Sequence, residues 1–291
     1  MREDYRNYLF ESYLKVVQHY KPRVFVFENV PGILSAKPGD GSVRIIDLIQ
    51  KAFADAGYAV LPDLSNAIID MTEYGVPQNR KRIIILGVSK EHYGDKAEAM
   101  VEKFYSSYLP EYKIEKKATV RDAIGDLPKL RPLDEPISYL GRKLSHSVSD
   151  PLINGHISRF HNKRDIELFK FLEEDIASGR MKYTSAKSLK TLYTKLTGKT
   201  SNVHKYYVLR WDEPSNLIPA HLFKDGLRHI HPDPEQARTI TVREAARLQT
   251  FPDDYYFNCS QTDAFKMIGN AVPPLFAKKV AYAIYHLIQE N

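Results

Sequence analysis

Apolar residues near the start of the chain recur at helical spacing and then condense into short continuous runs. Between residues 4 and 20, Leu9, Phe10, Tyr13, Leu14 and Val17 follow a near-helical period that Lys21-Pro22 interrupts, which predicts a helix feeding a strand. Val24-Phe25-Val26-Phe27 is a continuous apolar run, the pattern of a strand covered on both faces in a parallel sheet. Glu28-Asn29-Val30 closes that run and Pro31-Gly32 breaks the chain. Helical spacing resumes over residues 42–56 through Ile45, Leu48, Ile49, Ala52 and Phe53, with Gly57 placed as a stop, so a crossover helix is predicted. Two more strands are expected, at Ala67 to Asp70 and at Ile83-Ile84-Ile85-Leu86. This alternation of strand and helix predicts an α/β fold.

After Val88 the pattern changes to charged helix-like pieces with scattered prolines and tyrosines, and no further buried strand is expected until near the chain's end. A second domain is the natural reading. Its most distinctive part runs from Ile176 to Trp211, which holds Arg180, Lys182, Lys187, Lys190, Lys195, Lys199, Lys205 and Arg210 and no acidic residue. Hydroxyl side chains are interleaved through it, among them Tyr183, Thr184, Ser185, Thr191 and Tyr207, and they add donors suited to phosphate oxygens. A solvated lysine-rich face is the alternative that charge alone leaves open. Further on, residues 241–251 set Ala245, Leu248 and Phe251 on one side of a helix, Pro252-Asp253-Asp254 turns the chain, and a last helix is expected over about 275–288.

Composition narrows the field. With 291 residues and 43% hydrophobic content, the chain can bury the core of one large domain or two modest ones. A net charge of +6 and a pI near 9.1 favour a polyanionic partner. The single cysteine, Cys259, excludes an internal disulfide and a thiolate metal site, so no metal is expected and a reducing cytoplasm fits. No apolar run has signal-peptide or membrane-spanning length, so a soluble protein without a membrane partner is expected.

Glu28 ends a predicted strand, where open α/β sheets place their ligands, although a lone carboxylate there is as readily a surface acid. Gln78-Asn79-Arg80-Lys81-Arg82 enters the next strand as a basic turn, which alone would pass as solvated. Taken in order with later segments, both become specific. Phe27-Glu28-Asn29-Val30-Pro31-Gly32 resembles the Glu-Asn-Val motif of cytosine-5 DNA methyltransferases, and Tyr74 to Arg82 resembles their Gln-x-Arg-x-Arg motif. Arg238 to Pro252 is similar to the segment supporting the family's target-recognition domain, Ile268-Gly269-Asn270-Ala271-Val272-Pro273-Pro274 to its closing motif, and Arg6 to Phe10 to the short motif before the Glu-Asn-Val strand. Five segments in family order from residue 6 to 274 carry the resemblance, and only about 128–235 lacks a template.

The resemblance implies a partial doubly wound, Rossmann-like methyltransferase sheet in residues 1–127, a smaller target-recognition domain in 128–235, and a return to the catalytic domain in 236–291. It implies double-stranded DNA as partner and S-adenosylmethionine as cofactor, often in restriction-modification. In this family a cysteine thiolate adds to C6 of a flipped cytosine, and C5 then attacks the sulfonium methyl. Glu28 would hold the N3 and N4 edge of the ring, Arg82 would hold O2, and Arg80 would fix the neighbouring backbone. Leu9 would touch the adenine, and Asn270, Ala271 and Val272 would close over the methionine end; many relatives have serine where Ala271 stands. The eight basic residues from Arg180 to Arg210 would meet DNA.

The Pro-Cys loop and the glycine-rich cofactor loop of the family are not in this sequence, and Cys259, between the last two motifs, lacks the preceding proline. The expectation is a chain inactive alone that pairs with an N-terminal-half polypeptide, with an incomplete cofactor site and an open edge on the Val24–Phe27 strand. A non-catalytic specificity subunit, a truncated remnant and a transfer-RNA-directed relative are the alternatives.

Overall fold

The first helix, α1 (Leu9–Tyr20), buries Phe10 and Val17 and ends at Lys21, which takes a left-handed φ of 43° ahead of Pro22. The structure, a computed structural model, describes residues 9–37, 41–200, 202, 206–224 and 226–290. Arg6, Asn7 and Tyr8 of the first motif and Lys205 of the basic run lie outside the described residues. Packing divides the chain into two compact units, one of residues 1–74, 80–115 and 276–291, the other of 75–79 and 116–275.

In the first unit, β1 (Val24–Asn29) follows α1, and α2 (Ile45–Asp55) buries Ile45, Ile46, Ile49 and Phe53 before Gly57 turns the chain at φ 85°. Short strands β2 (Tyr58–Ala59) and β3 (Ile68–Asp70) precede β4 (Lys81–Ser89), whose residues from Ile83 onward are buried. Tyr13 of α1 lies edge-on to Phe25, Phe27 and Phe53 at ring separations of 5.9, 5.3 and 6.3 Å, which fastens α1 and α2 to one face of β1. Phe25 lies opposite Gly87, and a Cβ at position 87 would fall inside the envelope of the Phe25 ring.

The order of this sheet corrects one expectation. β4 is its hub, and β1, β2 and β3 each pair with it antiparallel, so among the described residues this sheet holds no parallel pair of strands. A continuous apolar run reports burial on both faces and says nothing of direction; β1 runs alike with β2 and β3 but is separated from them by β4, along whose other edge β2 and β3 pair at opposite ends. β1 stands at the end of the order β1-β4-β2, so among the described residues its outer edge carries no strand. The chain leaves the sheet through α3 (Lys90–Tyr93) and α4 (Lys96–Lys103), which buries Ala97, Met100 and Val101.

The second unit opens with α5 (Val120–Ile124), started by a capping box in which Thr119 and Asp122 bond each other's backbone amides. A hairpin follows that the sequence did not predict, β5 (Pro132–Tyr139) with β6 (Arg142–His146), joined by Leu140-Gly141 at φ 48° and 72°. β5 is mostly exposed and lacks apolar alternation, so its period was hidden. α6 (Lys163–Ala177) and α7 (Ala186–Thr197) pack through Leu168, Phe169, Leu172, Leu189 and Leu192 into one small core. α8 (Val242–Leu248) and α9 (Gln261–Asn270) share a second core with α5 through Ile124, Ala245, Leu248, Phe265 and Ile268. Within this unit the segment from Arg238 on packs with α5.

The last helix, α10 (Pro274–Gln289), buries Phe276, Val280, Ala283 and Leu287, and Phe276 meets Tyr74 of the first unit at 5.3 Å. No helix among the described residues is long and apolar enough to cross a membrane.

Candidate functional site

Glu28 and Arg82 meet at the end of β1. Glu28 lies opposite Ile84 in the β1–β4 ladder, and Arg82 is two residues before Ile84, hence on the same face as its diagonal neighbour. The Arg82 Nε sits 3.0 Å from Glu28 Oε1, with the Arg82 side chain 11% and the Glu28 side chain 29% exposed. A second tie, from Arg82 Nη1 to the Lys81 carbonyl at 2.8 Å, fixes the guanidinium plane. Arg80 is buried at the start of the same segment. Burial, then the Arg82 charge, lowers its pKa to about 10, and Glu28 partly offsets them. The site is therefore a carboxylate paired with one planar cation, Arg82, with a second, Arg80, close enough to feel both charges.

A cavity of about 400 Å³ opens at the same strand end, lined by Leu9 and Phe10 of α1, Phe27, Asn29 and Val30 of β1 and its exit, and Gly32 and Ile33 in the turn beyond. Asn29 Oδ1 accepts from the Val30 amide at 2.8 Å, which holds that turn. Leu9 lies exposed at the rim.

Asn270, Ala271 and Val272 belong to the second unit, where Asn270 ends α9 and Ala271 leaves it in extended backbone at ψ 148°. Their approach is set by Gly269, at which a Cβ would collide with the Pro219–Ala220 backbone. The basic run does not form one uniform surface. Lys182, Lys187, Lys195 and Lys199 are exposed and Lys190 is half-buried. Arg180 lies 3.8 Å from Asp175, and Arg210 bonds the Val208 carbonyl while stacking 5.4 Å above Tyr207. Cys259 is exposed, its Sγ 3.8 Å from Met267 Sδ.

The sequence model of the C-5 cytosine-specific DNA methylase family matches residues 1–286. The chain belongs to this family. It is 36% identical over 98% of its length to the type II methyltransferase M.Bpa9945I of Bacillus paralicheniformis, and it spans 65% of that protein's own length. It is 31% identical over 97% of its length to the type II methyltransferase M.AgeI of Thalassovita gelatinovora, spanning 78% of that protein. Its fold is that of an E. coli prophage-encoded chain assigned as a DNA modification methyltransferase, with a TM-score of 0.64 at 22% identity, covering 98% of this chain and 75% of the other.

Two features of this methylase-family chain escaped the sequence. Gln78, read as the first residue of a basic turn, is fully buried and bonds the Leu248 carbonyl, the Gln249 side chain and the Ile218 amide. Arg238 and Glu244 form a buried bidentate pair, both contacts 2.6–2.7 Å, inside a capping box that Thr241 and Glu244 make at the start of α8. The Arg238 charge and its hydrogen bonds hold the Glu244 carboxyl well below the usual range although burial alone would raise it. The spacing Thr-x-x-Glu in residues 241–244 was the available signal for this cap.

Proposed function

We propose that this chain carries the base-holding, DNA-recognising and cofactor-closing parts of a DNA (cytosine-5) methyltransferase of the restriction-modification type. The single observation that carries the reading is the Glu28–Arg82 pair, at 3.0 Å on one face of the β1–β4 ladder, which suits the polar edge of one pyrimidine ring. In this reading the Glu28 carboxyl takes the N3 and N4 edge of a flipped cytosine, Arg82 takes O2, and Arg80 fixes the backbone beside them. The Arg82 contact pre-orients the carboxylate, so little reorganisation is needed when charge develops on the ring. Residues 128–235 serve as target-recognition region, with the lysines of α7 toward the DNA backbone.

The residues present fit S-adenosylmethionine in part. The cavity beside Leu9 and Phe10 is apolar with Asn29 at one edge, a lining suited to a purine, and its volume of about 400 Å³ admits one. Leu9 would touch the adenine and Asn270, Ala271 and Val272 would close over the methionine end, through backbone groups at Ala271 where relatives offer serine. When bound, this cofactor supplies an electrophilic methyl group. The thiolate that adds to C6 would come from a Pro-Cys loop, which these residues do not contain.

Combining the chain with such a Pro-Cys segment, labelled S-adenosylmethionine and duplex DNA should label cytosine. Glu28→Gln should lower the rate by about 10²-fold or more with DNA binding retained, by comparison with loss of one transition-state hydrogen-bond group elsewhere. Wild-type turnover by Glu28→Gln, or a reconstituted pair that binds DNA and cofactor without labelling, would sink the reading. A non-catalytic specificity subunit is favoured by one observation, the acid-free helix α7, and predicts tight, salt-sensitive DNA binding by the chain alone.

A further inference from the structure

The closing segment from Ala271 to Leu275 is held at both ends by two consecutive residues. Gln249 Nε2 donates to the Ala271 carbonyl at 2.6 Å, and Thr250 Oγ1 accepts from the Leu275 amide at 3.0 Å. Both follow directly on α8, and Gln249 is fully buried. Thr250 sits at φ 66°, a left-handed conformation that threonine rarely adopts and that the surrounding contacts must enforce.

Gln249 does not stand alone. Gln78, equally buried, accepts from the Ile218 amide at 3.0 Å and donates to the Leu248 carbonyl at 3.0 Å and to Gln249 Oε1. The orientation of both amides is fixed by groups whose roles are unambiguous. The Ile218 amide can only donate, so Gln78 presents its oxygen there and its nitrogen to Leu248 and Gln249. Gln249 then presents its oxygen to Gln78 and its nitrogen to the Ala271 carbonyl. The result is a polar chain with one direction, from the amide at Ile218 through two side chains to the backbone at Ala271. In a buried setting each broken link leaves an unsatisfied group, so the chain acts as a unit.

We infer that Gln249 and Thr250 are positioning residues that clamp the closing segment, with Gln78 bracing the clamp from the Ile218 side. This rests on the proposal that Asn270, Ala271 and Val272 close over the cofactor. The backbone of that segment would offer its donors in one posture only while both ends are tied. Gln249→Glu keeps the size but places an oxygen against the Ala271 carbonyl. Thr250→Val keeps the shape but removes the acceptor for Leu275, and Thr250→Ser restores it.

The test has two readouts. Hydrogen exchange of the chain should quicken at the Leu275 amide by tenfold or more in Thr250→Val and return toward wild type in Thr250→Ser, with α6 and α7 unchanged. In the chain combined with a Pro-Cys segment, Gln249→Glu and Thr250→Val should raise KM for S-adenosylmethionine at least tenfold, with KM for DNA little changed. Exchange at Leu275 that ignores Thr250→Val overturns the clamp by itself. Faster exchange with an unaltered cofactor KM overturns the positioning role by removing the closing segment from the cofactor, and with it that part of the proposed function.

Discussion

At the scale of single residues, the chain spends its buried charge on holding elements in place. Arg238 and Glu244 are both essentially inaccessible, yet each finds its partner and, through Glu244, the Thr241 amide. Removing one member leaves the other charge buried without compensation. Glu244→Gln is therefore expected to cost about 3–5 kcal/mol, read as a lowered denaturation midpoint with an unchanged slope, whereas loss of an exposed pair such as Arg121 with Asp212 should leave the midpoint nearly where it was. The Glu28–Arg82 pair differs in kind. It is partly open to solvent, and under the function proposed above its worth lies in where it points. Glu28 and Arg82 could be named as candidates because the family's motifs fix residue type and order, and the structure sets the two side by side. Gln78 and Gln249 were not, because a glutamine's role depends on the backbone groups it meets, and those come from segments up to 171 positions away.

Among the elements, those that bury a periodic stripe were readable and those that do not were missed. α1, α2 and α10 begin or end within a few residues of the expected bounds, and Gly57 stops α2 as predicted. The β5–β6 hairpin had no such stripe, and strand direction in the main sheet is a property of neighbours that no single run encodes. α7 was seen only as a charge run, and the structure turns it into an oriented helix. Leu189 and Leu192 face the core, which leaves Lys187, Lys190, Thr191 and Thr194 clustered on the opposite side. Replacing Lys187 and Lys190 by alanine should weaken DNA binding and reduce the slope of log affinity against log salt by about 2, since each phosphate contact contributes roughly 0.9. Titrations at several salt concentrations would measure this, and an unchanged slope would mean these lysines are merely solvated.

For the whole molecule, stability should peak near neutral pH because two sets of buried groups titrate in opposite senses. His146, His161, His229 and His231 are held neutral by burial, with pKa values lowered to about 4, 3, 4 and 3. Their unfolded forms take up protons near pH 6.5, so the folded state loses about 1.4 kcal/mol per group for each unit the pH falls below that, until the folded values are reached. Glu173 is the reverse case, its pKa raised by burial to about 9 from 4.5. Its folded carboxyl keeps its proton while the unfolded one ionises, so this contribution is full below pH 4.5 and is lost as pH rises toward 9. Above pH 6.5 only the glutamate acts among these groups. Glu173→Gln should accordingly flatten the decline between pH 7 and 9 in chemical denaturation and steepen the rise between about pH 4.5 and 6.5, with the course below pH 4.5 unaltered. The spacing of the main sheet has a comparable economy. Because the Phe25 ring lies where a Gly87 side chain would be, a strand slip by one position would press that ring onto Leu86 or Val88 and turn Glu28 to the other face. A missing methyl group three rungs from Glu28 thus sets the phase of the ladder, and a bulky aromatic at 25 and any branched residue at 87 exclude one another.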